Sequence, residues 1–239
     1  MSSKIQKSAV SNQQSAINPM SALIFDLDGT LVDTVYAHVF SWQRALAEAG
    51  MAVDGWRIHR RIGMSGGLFT RAVARELGRE ITPAEAEALQ RRHEELFQEF
   101  LPERRVLPGA VELLRLLRDK GIAHGIATSG RRPEIDASLD ALGIGTETLV
   151  VERGDVLRAK PAPDLFLNCQ QRLGVPVDEC FVVGDAVWDL LAARRARMLS
   201  IGLLSGGYGE DELTRAGAFR VYSGPAELHA SLDELGIMP

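Results

Sequence analysis

From about Pro108 onward, short apolar runs alternate with stretches whose apolar residues recur at helical spacing. The apolar runs predict strands at residues 122–127, 148–151, 181–183, 200–204 and 219–222. The stretches between them predict helices at residues 111–120, 133–142, 162–173, 188–198 and 225–235. This alternation requires right-handed crossovers and predicts an α/β fold, with a Rossmann-like, mostly parallel sheet core and helices on both faces.

The region between the first predicted strand, residues 22–25, and Pro108 has a different pattern. Its apolar residues follow helical periodicity, with helices predicted at residues 36–49 and 68–77, and residues 82–85 form a capping box that starts another helix. We therefore expect an inserted α-helical cap at residues 35–105 and a core made of residues 20–34 and 106–239. An insertion at the tip of the first strand would lie over the ligand crevice of the sheet and act as a lid.

Composition and charge narrow the classes of partner. The 239 residues are 46% hydrophobic and 25% charged, which is ordinary for a globular protein with a sizeable core. The net charge of -5 disfavours nucleic acid as a partner, because no broad basic surface is available to neutralise its phosphates. No run approaches the roughly 20 apolar residues that cross a bilayer, so no membrane partner is expected. The sequence indicates no oligomeric state.

The N-terminal residues and the cysteines indicate where in the cell the protein is located. Residues 1–19 are mostly Ser, Gln, Asn and Ala without the apolar stretch of a signal peptide, and we expect a disordered tail there. Cys169 and Cys180 are too few for a disulfide framework and lack CxxC spacing. A reducing, cytoplasmic location is therefore expected.

Acidic residues stand at two of the predicted strand ends. Asp26 and Asp28 follow the first strand, and Asp185 and Asp189 follow the strand at residues 181–183. The carboxyl ends of parallel strands meet in one crevice, so these acids should lie close together. Two carboxylates about 4 Å apart repel by about 4 kcal/mol at an effective dielectric of about 20. The pattern therefore predicts a bound metal cation.

A calcium-binding EF-hand loop is the alternative interpretation of the first acidic segment, but the spacing of its residues does not match the EF-hand template. The EF-hand template requires an acidic or Asn ligand where Thr30 stands and Gly where Leu31 stands.

Two further segments carry groups that suit a phosphoryl group. Thr128, Ser129 and Gly130 follow the strand at residues 122–127, and Lys160 stands just before a helix that starts with proline. Hydroxyls, exposed main-chain amides and an ammonium group can all bind phosphate oxygens. Either Thr128 or Ser129 can supply the phosphate-binding hydroxyl while the other caps the following helix.

In this order, the segments resemble the four motifs of the haloacid dehalogenase superfamily. The matching residues are Asp26-Leu27-Asp28-Gly29-Thr30, Thr128, Lys160, and Gly184-Asp185 with Asp189. The resemblance spans about residues 22–221 and is to the phosphatase branch with a helical cap after the first strand, similar to phosphoglycolate phosphatase and β-phosphoglucomutase. Four ordered motifs are specific together, although each alone is weak.

The resemblance implies a nucleophile at Asp26 and a general acid and base at Asp28. A carboxylate can take a phosphoryl group to form an aspartyl-phosphate, and the second acid can protonate the leaving oxygen and then activate water.

Ligand roles follow from the same resemblance. It implies phosphoryl binding by Thr128 and Lys160 with the neighbouring Ser129 and Gly130. It implies Mg²⁺ held by Asp26, Asp185 and the main-chain carbonyl of Asp28, and Asp189 would orient Lys160 or support the metal. Mg²⁺ suits these ligands because they are hard oxygens that leave positions for water and phosphate.

The cap contains weaker signals. His38 and Trp42 lie one helical turn apart at a spacing similar to that in phosphatases and mutases of this family, although core packing explains them equally well. Residues 62–67 resemble a cap loop that contacts substrate, which marks Ser65 and Gly66. The basic segment at residues 57–61 is more typical of a solvated face than of a substrate site.

We therefore expect a Mg²⁺-dependent phosphatase for a small phosphomonoester, such as a phosphoglycolate-like acid or a sugar phosphate. A sugar-phosphate mutase is the alternative enzyme, but Gly66 stands where such relatives carry an arginine, and Arg71 is as able to point outward as inward. A binding module for a phosphorylated metabolite is the alternative outside enzymes, and turnover of p-nitrophenyl phosphate separates the two. The motifs do not determine the substrate, because specificity lies in the shape of the cap.

Overall fold

The computed structural model describes residues 21–145 and 147–237, so the predicted tail lies outside the described residues. Within them, six strands form one sheet: β1 Ala22–Phe25, β2 His124–Ala127, β3 Leu149–Val151, β4 Cys180–Gly184, β5 Leu199–Leu203 and β6 Arg220–Tyr222. Their order across the sheet is β3-β2-β1-β4-β5-β6, and every pairing is parallel. The predicted α/β class is confirmed.

Helices cover both faces of this sheet. They are α5 Ala110–Asp119, α6 Asp136–Ala141, α7 Asp164–Leu173, α8 Val187–Ala196, α9 Glu210–Ala216 and α10 Pro225–Ala230. The central strand β1 shows why both faces are covered, since Leu23 and Phe25 enter one hydrophobic cluster while Ala22 and Ile24 enter another. Residues alternate between the two faces of a strand, and a strand buried on both is therefore apolar throughout.

Four helices lie between β1 and α5: α1 Val35–Glu48, α2 Gly55–His59, α3 Gly66–Glu76 and α4 Pro83–Phe100. They share a hydrophobic cluster of their own, which includes Trp42, Ile58 and Phe69. The capping box of α4 is present, because Glu85 N donates to Thr82 Oγ1 at 3.2 Å and Thr82 N donates to Glu85 Oε2 at 2.7 Å. These inserted helices therefore have a separate core.

Some element boundaries differ from the sequence prediction. The helix predicted at residues 133–142 begins at Asp136, because the preceding residues form turns. The last predicted helix is divided, since α10 ends at Ala230 and a short 3-10 helix covers Leu232–Leu235. The short helix α2 was not predicted, because five residues are too few to show helical periodicity. Across residues 21–145 and 147–237, no helix is both long enough and apolar enough to span a bilayer.

Candidate active site

The candidate site lies at the carboxyl ends of the central strands β2, β1 and β4. These ends are aligned, because Phe25 pairs with Ile126 of β2 and with Val183 of β4. Asp26 directly follows β1 and Asp185 directly follows β4. The sheet register therefore brings together acids that are far apart in the sequence.

A cavity of about 270 Å³ opens beside these strand ends. Most of the predicted site residues line it: Asp26, Asp28, His38, Ser65, Gly66, Thr128, Ser129, Gly130 and Lys160. Asp185 and Asp189 are not part of the cavity wall but lie next to Asp26, with carboxylate oxygens of all three within 4.8 Å of one another. The structure thus gathers all these residues around one cavity.

Lys160 is the electrostatic centre of the site. Its side chain is fully buried, and Nζ lies 2.5 Å from Asp26 Oδ1 and 2.8 Å from Asp189 Oδ1. Burial lowers the pKa of Lys160, but the charges of Asp189 and Asp26 outweigh it and hold the pKa above its ordinary value. A buried ammonium must be paired, so the two carboxylates keep Lys160 charged and in place.

The nearby acids carry more negative charge than Lys160 can neutralise. Burial raises the pKa of Asp26 to about 7 despite the opposing charge of Lys160. Burial, followed by the charges of Asp189 and Asp26, raises the pKa of Asp185 well above its ordinary value. Both shifts show that ionising these carboxylates is costly without a further cation. The available donors are all oxygens, which fits the hard ion Mg²⁺.

Asp28 lies in a different environment from Asp26. Thr34 Oγ1 donates to Asp28 Oδ1 at 2.7 Å, and His38 Nε2 lies 3.5 Å from the same oxygen. Burial alone would raise the pKa of Asp28, but the hydrogen bond and charge of His38 outweigh it, and the pKa lies below its ordinary value. The pKa values of the two acids after β1 are therefore shifted in opposite directions.

Glycines at two positions permit the close packing around Asp185. Thr30 Oγ1 donates to Asp185 Oδ1 at 2.8 Å, and a Cβ at Gly206 would lie only 1.8 Å from Asp185 Oδ2. Gly29 has φ +81, and a Cβ there would lie 2.5 Å from the same oxygen. Ser205 Oγ donates to Gly29 O at 2.6 Å, so the loop that contains Gly206 packs against the acids.

The two hydroxyls after β2 have different partners. Thr128 is fully buried, and its Oγ1 accepts a hydrogen bond from Gly130 N at 3.0 Å, which leaves the hydroxyl proton free to be donated. Ser129 Oγ donates to Gly63 O at 3.1 Å, in the loop before α3. Ser129 therefore joins the core to the inserted helices, and Thr128 is the better placed donor for a phosphate oxygen.

The inserted helices and the core supply cavity residues that no motif marks. They are Gln90 and His93 from the inserted helices and Glu134 from the core. Only their proximity in the fold reveals them. Arg71, for which the sequence left both directions open, also lines the cavity.

The basic segment at residues 57–61 is less solvated than expected. His59 is buried, and its Nε2 lies 2.7 Å from Gly206 O. Arg60 pairs with Glu212 of α9 at 3.1 Å, and Arg61 lines the cavity. The segment therefore connects the inserted helices to the core next to the acids.

Comparison with known proteins agrees with this geometry. Residues 20–197 match the family model described as haloacid dehalogenase-like hydrolase. A hydrolase from Pseudomonas syringae has a similar structure, with a TM-score of 0.87 and 47% identity over 90% of this chain and 99% of that one. The phosphoglycolate phosphatase of Rhodospirillum rubrum is 33% identical over 87% of this chain and 88% of its own length. The β-phosphoglucomutase of Bacillus subtilis is 30% identical over 78% of this chain and 84% of its own.

The chain belongs to the haloacid dehalogenase-like hydrolases, a family of enzymes, and the resemblance stated from its motifs is confirmed.

Proposed function

We propose that this protein is a Mg²⁺-dependent phosphatase that hydrolyses a small organic phosphomonoester through an aspartyl-phosphate on Asp26. The observation that carries this proposal is the buried Lys160 ammonium, which lies 2.5 Å from Asp26 in a cavity that Asp28 and Thr128 also line. A carboxylate beside a fixed cation can accept a phosphoryl group whose oxygens that cation stabilises.

Asp26 attacks phosphorus, and the bond from phosphorus to the ester oxygen breaks. Asp28 gives its proton to the leaving oxygen, which departs as an alcohol. Asp28 then takes a proton from water, whose oxygen attacks the aspartyl-phosphate and releases orthophosphate with Asp26 restored. The position of Asp28 in the wall of the same cavity as Asp26, two residues further along the chain, supports this division of roles.

Phosphate oxygens would be held by Lys160, the Thr128 hydroxyl and the main-chain amides of Ser129 and Gly130. Asp26, Asp185 and the main-chain carbonyl of Asp28 would hold Mg²⁺, which supplies positive charge to the transferring group when it is bound. Asp189 orients Lys160, a role supported by the 2.8 Å distance between them.

We propose further that residues 35–105 form the cap and residues 20–34 and 106–239 the core. The separate hydrophobic cluster of the inserted helices supports this division, as does the position of Ser65, Gly66 and His38 in the cavity wall. A lid of this kind excludes water and selects the substrate.

The proposed substrate is a small metabolite that carries one phosphate ester, either a phosphoglycolate-like acid or a sugar phosphate. The similarity to a phosphoglycolate phosphatase supports the first, and the similarity to a β-phosphoglucomutase supports the second. The position of Arg71 in the cavity wall favours a substrate with another anionic group, since a guanidinium binds carboxylate or phosphate well.

The same observation supports sugar-phosphate mutase as the second candidate. A mutase needs a cation in the cap for the phosphate that is not transferred, and Arg71 can supply what Gly66 does not. ³¹P NMR with β-glucose 1-phosphate, with and without a bisphosphate primer, separates the two. We expect orthophosphate and free sugar. If glucose 6-phosphate instead formed faster than orthophosphate, and if the Arg71→Ala variant lost this conversion, the protein would be a mutase.

The proposed nucleophile is tested with p-nitrophenyl phosphate and a panel of metabolite phosphates. Asp26→Asn should lower the rate of orthophosphate release by several orders of magnitude, because the amide keeps the shape but loses the nucleophilic charge. Asp33→Asn, at an exposed position nearby, is the matched control and should keep its rate. A purified, folded Asp26→Asn protein within tenfold of the parent would refute the role of Asp26.

A further inference from the structure

A second group of metal-ligating side chains lies in the cavity, separate from the group formed by Asp26, Asp185 and Asp189. It consists of His38 from α1, His93 from α4 and Glu134 from the turn before α6, and we call it the His-His-Glu cluster. Each residue offers one ligand atom, and these atoms lie within 4.8 Å of one another. His38 Nδ1 and His93 Nε2 are 3.0 Å apart.

Packing holds both imidazole rings in position. His93 is 5% exposed, and its ring stacks on Trp42 at 4.1 Å between centroids. The His38 ring stacks on Phe97 at 3.9 Å. Rings fixed in this way lose little rotational freedom when their nitrogens bind a ligand, so the cluster is preorganised.

The distances suit a tetrahedral ion with imidazole ligands. Zinc binds imidazole nitrogen at about 2.0–2.1 Å, which places two ligating nitrogens about 3.3 Å apart. The observed 3.0 Å needs a shift of only a few tenths of an ångström. The other ring nitrogen of His38, Nε2, faces Asp28 Oδ1 at 3.5 Å. A carboxylate in that position is the usual outer partner of a metal-bound histidine.

The charge states of two members of the cluster, His93 and Glu134, also suit a bound cation. Burial lowers the pKa of His93 well below its ordinary value, so this imidazole is neutral and has a lone pair to donate. Burial also raises the pKa of Glu134 to about 7, which shows that its charge is poorly compensated. Its carboxylate lies 3.9 Å from His93 Nδ1, too far for a hydrogen bond.

We propose that the His-His-Glu cluster binds Zn²⁺, or another divalent ion that prefers nitrogen ligands, and that the bound ion inhibits turnover. Two nitrogens and a carboxylate select such ions, whereas the all-oxygen aspartates select Mg²⁺. Two of the ligands come from the inserted helices and the third from the core, so an ion there would join the two and prevent opening. The inhibitory part rests on the proposed phosphatase function, while the binding part does not.

Binding is measured first, without any activity assay. The intact protein with saturating Mg²⁺ is titrated with ZnCl₂ by calorimetry and with Co²⁺ by visible absorption, which reports tetrahedral coordination. We expect one ion per chain. His93→Asn and Glu134→Gln should each weaken binding, His93→Asn by at least about 100-fold, since even loss of an outer partner costs 10–100-fold. His124→Asn is the matched control, because His124 lies outside the cavity and bonds Ile122 O at 2.8 Å.

Thermal melting establishes that each variant is folded before its binding is compared. Absence of binding to the wild type at saturating Mg²⁺ would overturn the site, as would equal affinity in folded His93→Asn and Glu134→Gln proteins.

Inhibition is measured second, with p-nitrophenyl phosphate at saturating Mg²⁺. Each protein is compared with its own rate in the absence of Zn²⁺, and inhibition should weaken in the variants in parallel with binding. Zn²⁺ binding without any loss of rate would overturn the inhibitory part. A wild type that turns over no phosphomonoester but still binds Co²⁺ through His93 would refute the phosphatase proposal and leave the metal site standing.

Discussion

The core side of the cavity and the side made by the inserted helices are built on different principles. On the core side, Lys160 is fully buried and has a carboxylate partner in each of two directions. On the other side, Arg71 is exposed at the cavity wall. The histidine rings there stack on aromatic rings, and His38 also lies 3.5 Å from Asp28.

The difference separates two tasks. Charges that take part in bond breaking must be fixed relative to each other, and strand ends of one sheet provide that rigidity. Groups that select the substrate must allow it to enter, and a helical insertion with its own core can move as a unit. Substitutions on the core side should therefore change the rate for every substrate, and those on the other side should change substrate preference.

The largest effect on the rate of orthophosphate release is expected from removing Mg²⁺ or its proposed ligands on the core side. Chelation of Mg²⁺ should stop orthophosphate release, and Ca²⁺ should fail to restore it, because its larger, looser coordination misplaces the phosphate. Asp185→Ala should raise the Mg²⁺ concentration needed for half-maximal rate at least about tenfold. The exposed Asp178→Ala should leave that titration unchanged. An unaltered Mg²⁺ requirement in Asp185→Ala would remove this residue from the metal site.

The second-largest effect on the rate is expected from a substitution at Gly206. Gly206→Ala places a methyl group 1.8 Å from Asp185 Oδ2, so the carboxylate or the loop must move. Displacement of a catalytic group by about 1 Å costs on the order of 100-fold in rate, which is our expectation for kcat. Gly209→Ala, in the same loop but with its nearest neighbour at 3.5 Å, is the matched control. Equal rates for the two variants would show that the loop does not position Asp185.

A moderate effect is expected at Glu134, where the side chain makes the free energy of unfolding depend on pH. Burial raises its folded-state pKa from 4.5 to about 7, so the folded protein holds a proton that the unfolded chain releases. The free energy of unfolding should therefore fall as pH rises through this interval, by on the order of 1–3 kcal/mol. Denaturant titrations of Glu134→Gln should show a flatter pH dependence than the parent. The exposed Glu103→Gln should not, and parallel curves for Glu134→Gln and the parent would refute the shift.

The smallest effect is expected at Ser129, which connects the two sides. Ser129→Ala removes one hydrogen bond to Gly63 O, worth about 0.5–1.5 kcal/mol, and should change kcat/KM by less than about tenfold. Thr128→Val removes the proposed phosphate donor and should lower kcat by about 100-fold or more. If Ser129→Ala were the more damaging change, the phosphate-binding hydroxyl would be Ser129.

Much of the fold could be predicted because its signals are local. The apolar run Ala22–Phe25 and the capping box at Thr82 are each contained in a few neighbouring residues, and both appear in the structure as expected. The short helix α2 and the division of the last helix were not predicted, since periodicity needs more residues than either contains.

The sequence by itself determined the α/β class, the family and the set of acids at the strand ends, because strand alternation and motif order depend only on positions along the chain. Tertiary structure decided the rest. Only the fold brings Gly206 against Asp185, places Arg71 in the cavity wall and sets His93 Nε2 3.0 Å from His38 Nδ1. These contacts join segments tens of residues apart, and their distances depend on packing that no local pattern records.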